Sequence, residues 1–80
     1  MSPKMRTTYK ELDLVSIPED IPELGIEAGT RGTIVTVYDD GRMLDVEVSR
    51  EDGATIGFVD LRVAGDGSLS LIAFTPFDSP

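Results

Sequence analysis

Between Gly29 and Val48 the chain places two runs of sheet-forming residues on either side of a tight turn, and this constrains the rest of the fold. Thr33-Ile34-Val35-Thr36-Val37-Tyr38 is dense in β-branched side chains, whose stiffness suits a pleated strand. Asp39-Asp40-Gly41-Arg42 follows as a hairpin connection, with Gly41 free to take positive φ. Met43 to Ser49 then alternates, with Leu44, Val46 and Val48 on one face and Asp45 and Glu47 on the other. That is the pattern of a half-buried antiparallel strand. Two strands paired in this way within 80 residues point toward a small closed β-barrel.

The flanking segments extend this reading. Residues 1–10 form a polar, Pro3-containing arm expected to be flexible. A strand is expected from about Asp13 to Ile17, with Leu12, Leu14 (or Val15) and Ile17 toward the core. Pro18 and Pro22 end it and prevent a long helix between them. The loop to Gly29 carries Ile21, Leu24 and Ile26 as anchors that hold it against the barrel. After the turn at Arg50–Gly53, Ala54 to Val59 reads as a strand with Ile56 and Phe58 on one face and Thr55 and Val59 on the other. Gly57 within it signals strong coiling, a bulge or a close backbone approach. Asp60 to Val63 suggests a single helical turn capped by Asp60. Beyond the break at Ala64–Gly67, Ser68 to Phe74 resumes alternation, with Leu69, Leu71 and Ala73 opposite Ser70, Ile72 and Phe74.

Five short strands joined by glycine-rich turns define an all-β domain over residues 11–75, followed by a tail at 76–80. A long first loop followed by three meandering strands is the order of a small SH3-like barrel of about five antiparallel strands. In such a barrel the first and last strands pair, which removes a bare edge. The expected core is Leu14, Ile17, Leu24, Ile26, Val35, Val37, Leu44, Val46, Val48, Ile56, Phe58, Leu61 and Leu71.

Composition removes several functions. The chain has no Cys, so it forms no disulfide and offers no thiolate to zinc, and no His, the commonest metal ligand and general base. Its net charge is −8, from 15 acidic and 7 basic residues. Phosphate backbones are bound by Lys and Arg, so neither nucleic acid nor an anionic membrane is an expected partner. The charge is also uneven: Glu11, Asp13, Glu19, Asp20, Glu23 and Glu27 fall in a stretch without a single base. No apolar run reaches the roughly 18 residues of a membrane-spanning helix. The first residues lack the apolar stretch of a secretory signal, so a cytoplasmic location is expected.

An ordered set of short motifs carries a family resemblance. Leu12-Asp13-Leu14-Val15 leads to Asp20-Ile21-Pro22-Glu23 and Gly25-Ile26-Glu27-Ala28-Gly29. Gly32-Thr33-Ile34-Val35-Thr36-Val37-Tyr38 follows, then Val46-Glu47-Val48, Gly53-Ala54-Thr55 and Leu61. From Leu12 to Leu61 the chain resembles the small bacterial SH3-like proteins classed as a domain of unknown function. Their pattern runs LDxV, DxP, GL, G, GTVVxVY, VEF, G, L. The chain departs from it at Val48, where an aromatic is usual, and in extra residues after Leu61. The resemblance implies an SH3-like barrel and assigns no catalytic or ligand residue.

The candidate chemistry is correspondingly sparse. No catalytic, cofactor-binding or metal-binding residues are assigned, and no cofactor is expected. Asp45, Glu47 and Asp60 are the alternative, as a carboxylate metal site or small enzyme centre, because Asp45 and Glu47 share a strand face. Outward acids on a strand are also what solubility alone produces, and an 80-residue barrel leaves little room for a cleft. Asp39-Asp40-Gly41 lacks the spaced oxygens of a calcium loop. The expectation is therefore a non-catalytic interaction or accessory module. It would dock a protein partner, a basic one on charge grounds, through an acidic loop. The assigned residues are Glu19, Asp20, Ile21, Glu23 and Leu24, with Tyr38 and Arg42 contributing an aromatic and a rim cation.

Overall fold

The computed structural model describes residues 9–77 as one antiparallel sheet. Its strands are β1 (Leu14–Ser16), β2 (Arg31–Tyr38), β3 (Met43–Ser49), β4 (Thr55–Val63) and β5 (Leu69–Pro76), in spatial order β1-β2-β3-β4-β5. The all-β, five-stranded antiparallel reading is thus observed. The expected pairing of first and last strands is not: among the described residues the sheet is open, with β1 at one edge and β5 at the other. β1 pairs only with the beginning of β2, and β5 runs the length of β4 without turning back. Residues 1–8 of the arm expected at 1–10, and residues 78–80 of the expected tail, lie outside the described residues. Pro76 belongs to β5, and Tyr9 is half-buried, its hydroxyl donating to the Gly67 carbonyl at 2.7 Å.

The core lies on one face of the sheet under the loop between β1 and β2. Ile34, Leu44, Val46, Val48, Val59 and Leu61 are wholly buried from the sheet side, and Ile17, Ile21, Leu24 and Ile26 cover them from the loop. Burial of a side chain this size contributes about 1.5–3 kcal/mol, so these residues carry most of the stabilisation.

Three bulges explain where the expected side-chain phase fails. The registers Ile34↔Val46 and Thr36↔Asp45 leave Val35 as an extra residue on β2. Val48↔Gly57 and Ser49↔Thr55 leave Ile56 extra on β4. Asp60↔Ala73 and Leu61↔Leu71 leave Ile72 extra on β5. An extra residue reverses the in–out alternation beyond it and increases local twist. Accordingly Val35 is 40% exposed while Ile34 is buried and Val37 half-buried. Phe58 falls on the outer face and Val59 in the core. Phe74 joins Leu69 and Leu71 against the core, whereas Ala73 is exposed. In β1, Val15 and not Leu14 is the buried residue; Leu14 is 60% exposed, and Leu12 is exposed at positive φ. The expected helical turn at Asp60–Val63 is absent because β4 continues through it. Leu61 and Val63 extend the core-facing set begun by Gly57 and Val59, and each residue pairs with β5.

Two glycines permit close approaches. A Cβ on Gly32 would lie 2.5 Å from Val46 Cγ1 and 2.9 Å from the Glu47 carbonyl oxygen, so β2 can press on β3 there only without a side chain. A Cβ on Gly57 would lie 2.7 Å from the Thr75 carbonyl oxygen and 3.3 Å from Leu24 Cδ2. The loop therefore seats Leu24 over β4 at a point where β4 offers only backbone.

Candidate functional site

The loop from Pro18 to Gly29 is built as a fixed surface. Its neck is closed by the Ile17 amide donating to the Thr30 carbonyl at 2.7 Å and the Gly29 amide donating to the Ile17 carbonyl at 2.8 Å. Within it Ile21 and Ile26 exchange amide–carbonyl bonds of 3.0 and 3.2 Å around a single 3₁₀ turn, Pro22–Leu24. Pro22 suits the first position of that turn because its missing N–H has no partner to lose. Gly25 ends the turn in the left-handed region at φ 73°, its amide donating to the Pro22 carbonyl. Asp20 Oδ1 accepts from the Ala28 amide at 2.9 Å, and the Thr30 hydroxyl donates to the Glu27 carbonyl at 2.6 Å. With Ile21, Leu24 and Ile26 sunk in the core, the carboxylates of Glu19, Glu23 and Glu27 are left on the exposed side.

A second acidic cluster occupies the outer face of the sheet. Asp45 on β3 stands directly opposite Asp60 on β4, and Thr36 and Ala73 flank them in the same row. Like charges placed opposite each other across a strand pair repel. Loss of water around Asp45, then the charge of Asp60, raise the pKa of its carboxyl. The Tyr38 hydroxyl is pushed upward by lost hydration and then by Asp60 and Asp45. Glu47 is turned to another purpose, accepting from the Thr55 hydroxyl at 2.6 Å. Among the described residues no three His, Cys, Asp or Glu side chains come together as a metal-ligand set. Asp45, Glu47 and Asp60 share a face but not a centre.

The expected partner residues separate into three kinds. Glu19 and Glu23 are exposed on the loop, and Asp20 is exposed but spends an oxygen on holding the loop's shape. Ile21 and Leu24 are core residues and are corrected accordingly, since their side chains face the sheet and leave nothing for a partner to touch. Tyr38 and Arg42 are exposed near the β2–β3 hairpin, whose Asp39 and Asp40 both take positive φ. That hairpin belongs to the end of the sheet where Met43 faces Arg62, whereas Leu24 sits at Gly57. The two positions lie five residue steps apart along β4, Gly57 to Arg62, about 16 Å at strand rise. The structure therefore does not unite the loop acids with Tyr38 and Arg42. Glu27 belongs with Glu19 and Glu23. Its place in the base-free stretch was the available signal, but only the paired bonds of Ile21 and Ile26 show that the loop returns on itself.

The fold and its sites define a small single-sheet β protein with a pinned acidic loop. The family model described as "Domain of unknown function (DUF4926)" matches residues 11–64, and the chain belongs to that family. No curated protein and no solved structure matches the chain. Among the described residues no helix is long and apolar enough to cross a membrane.

Proposed function

We propose that the protein is a non-catalytic, cytoplasmic interaction or accessory module, an opened variant of the SH3-like barrel, that docks a basic protein surface through its acidic loop. The observation that carries this reading is the set of hydrogen bonds that closes the loop on itself. Glu19, Glu23 and Glu27 extend from a backbone held at its neck, at its middle and by Asp20. A loop backbone already held in one shape loses less freedom on binding than a loose one, and that favours recognition. The same acidity disfavours nucleic acid and anionic membrane as partners. A carboxylate metal site or enzyme centre at Asp45, Glu47 and Asp60 is less well supported, because Glu47 is engaged with Thr55.

The test is capture from native cell extract with the unaltered chain and with Glu19→Lys, Glu23→Lys and Glu27→Lys combined, leaving Asp20 in place. A basic protein should be retained by the unaltered chain, released as salt screens the charges, and lost with the triple variant. Retention of the same protein by the triple variant would show that the loop is not the docking surface.

A further inference from the structure

We infer that Tyr9 is a strap that holds the last strand of the open sheet, so that β5 and the segment before β1 loosen together. Tyr9 and its partner both lie outside residues 11–64, the part of the chain that matches the family. The Tyr9 hydroxyl donates to the Gly67 carbonyl at 2.7 Å, across 58 positions of sequence, and its ring packs against the core. Among the described residues β1 and β5 do not pair. A side-chain bond instead joins the segment beside β1 to the turn beside β5.

Both ends of the strap are fixed. On the near side the Leu12 amide donates to the Ile34 carbonyl at 2.8 Å, which ties the backbone beside Tyr9 to β2. Residues 10–13 form a turn there: the Asp13 amide donates to the Lys10 carbonyl at 3.1 Å, and the Asp13 carboxylate accepts from the Lys10 amide at 3.2 Å. On the far side the β4–β5 turn holds the accepting carbonyl in place. The Gly67 amide donates to the Ala64 carbonyl and the Ala64 amide to the Ser68 carbonyl, each at 2.9 Å. Tyrosine suits this position, since its ring buries apolar area while its hydroxyl finds a polar partner.

What the strap holds is β5. That strand pairs with β4, and its Leu69, Leu71 and Phe74 are only half-buried against the core. Segments with few buried contacts open locally before the rest of a structure does. Tyr9 gives β5 a second attachment, at the turn from which the strand begins. Drawing the N-terminal segment off the sheet therefore loosens β5 and leaves β2, β3 and the loop in place.

Amide hydrogen exchange, followed residue by residue on the full chain, tests the strap. Tyr9→Phe keeps the ring and removes the donor. Amides of the β4–β5 turn and of the β4–β5 ladder should then exchange about fivefold faster, the scale of one hydrogen bond. Amides that pair β2 with β3 should keep their rates. Tyr9→Ala should quicken the same set further. The reciprocal effect is also expected: Leu71→Ala, which loosens β5 directly, should quicken exchange of the Leu12 amide. Unchanged rates at β5 in Tyr9→Phe would overturn the inference, since pairing to β4 would then hold the strand alone. Equal quickening of all the strands would overturn it as well, by making Tyr9 an ordinary part of the core. A Leu12 amide indifferent to Leu71→Ala would show that the two segments do not move together. Tyr9→Phe, which loses a hydroxyl and no ring, decides the matter should Tyr9→Ala fail to fold. None of these measurements involves Glu19, Glu23 or Glu27, so this reading and the docking reading can fail separately.

Discussion

β4 and β5 face each other residue by residue yet are held to different degrees. In β4, Val59 and Leu61 have no exposed surface, and both contact the core formed by β2, β3 and the loop. Their neighbours on β5, Phe74 and Leu71, are only half-buried, and no residue of β5 is fully buried. The family match ends at residue 64, between the two strands. The comparison separates two sources of order. Residues 11–64 enclose a core, with the loop covering the sheet. β5 is joined by pairing to a strand that this core already holds, and it adds partial cover.

The largest expected effect measures that difference at matched positions. Leu61 and Leu71 are register partners of the same residue type. Leu61→Ala leaves a cavity in a closed core and should cost about 2–5 kcal/mol. Leu71→Ala removes a side chain that water already reaches and should cost about 1 kcal/mol, in proportion to the smaller apolar area it buries. Urea unfolding of both variants gives the two values. Equal losses would mean that β5 belongs to the core as fully as β4 does.

Overpacking supplies a smaller and sharper contrast. In Gly32→Ala the added methyl meets Val46 Cγ1 and the Glu47 carbonyl between two inner strands, neither of which has room to move. In Gly57→Ala it meets the Thr75 carbonyl and Pro76 on β5, with Leu24 on a third side. Overpacking costs typically 1–3 kcal/mol. Gly32→Ala should lie at the upper end and Gly57→Ala at the lower, because an edge strand can shift outward. Amide exchange should locate the second disturbance in β5. A larger loss at Gly57 would show β5 to be the more rigid partner.

The same contrast governs what could be read from the residues alone. The β2–β3 hairpin, the strand face of Leu44, Val46 and Val48, and the anchoring of the loop by Ile21, Leu24 and Ile26 are all legible, because each depends on local alternation or turn chemistry. Val35, Phe58 and Phe74 are misplaced by simple alternation because each lies at or beyond a bulge, and a bulge leaves no local signature when the extra residue is itself β-branched. The open sheet is likewise invisible, since whether β1 and β5 meet depends on accumulated twist over all five strands. At the candidate site, the acidity of the loop is plain in the residues. Its closure is not, because the bonds between Ile21 and Ile26, and between Asp20 and Ala28, close turns that composition does not encode.

The smallest effect concerns the sign of the pH dependence in the two regions. Asp45 lies on the inner strands opposite Asp60, and its folded-state pKa is raised, by lost hydration first and by Asp60 second. A raised value means that the folded chain holds the proton more tightly. The resulting stabilisation is complete below the unfolded value and is lost as pH rises through the folded one. Asp66, in the turn leading to β5, is shifted the other way. The Ser68 hydroxyl donates to its carboxylate at 2.7 Å and the Ser68 amide at 2.9 Å, which lowers its pKa. Its contribution is present above the unfolded value and lost as pH falls through the folded one. Asp45→Asn should therefore stabilise the protein at neutral pH by less than about 1 kcal/mol, the scale of one cross-strand charge pair. That gain should vanish on acidification. Asp66→Ala should destabilise at neutral pH, and that loss should also vanish on acidification. Denaturation midpoints across a pH series should thus diverge from the unaltered chain in opposite directions as the pH rises. A gain from Asp45→Asn that persisted in acid would show that packing, and not the cost of holding a charge there (lost hydration first, Asp60 second), limits the outer face of the inner strands.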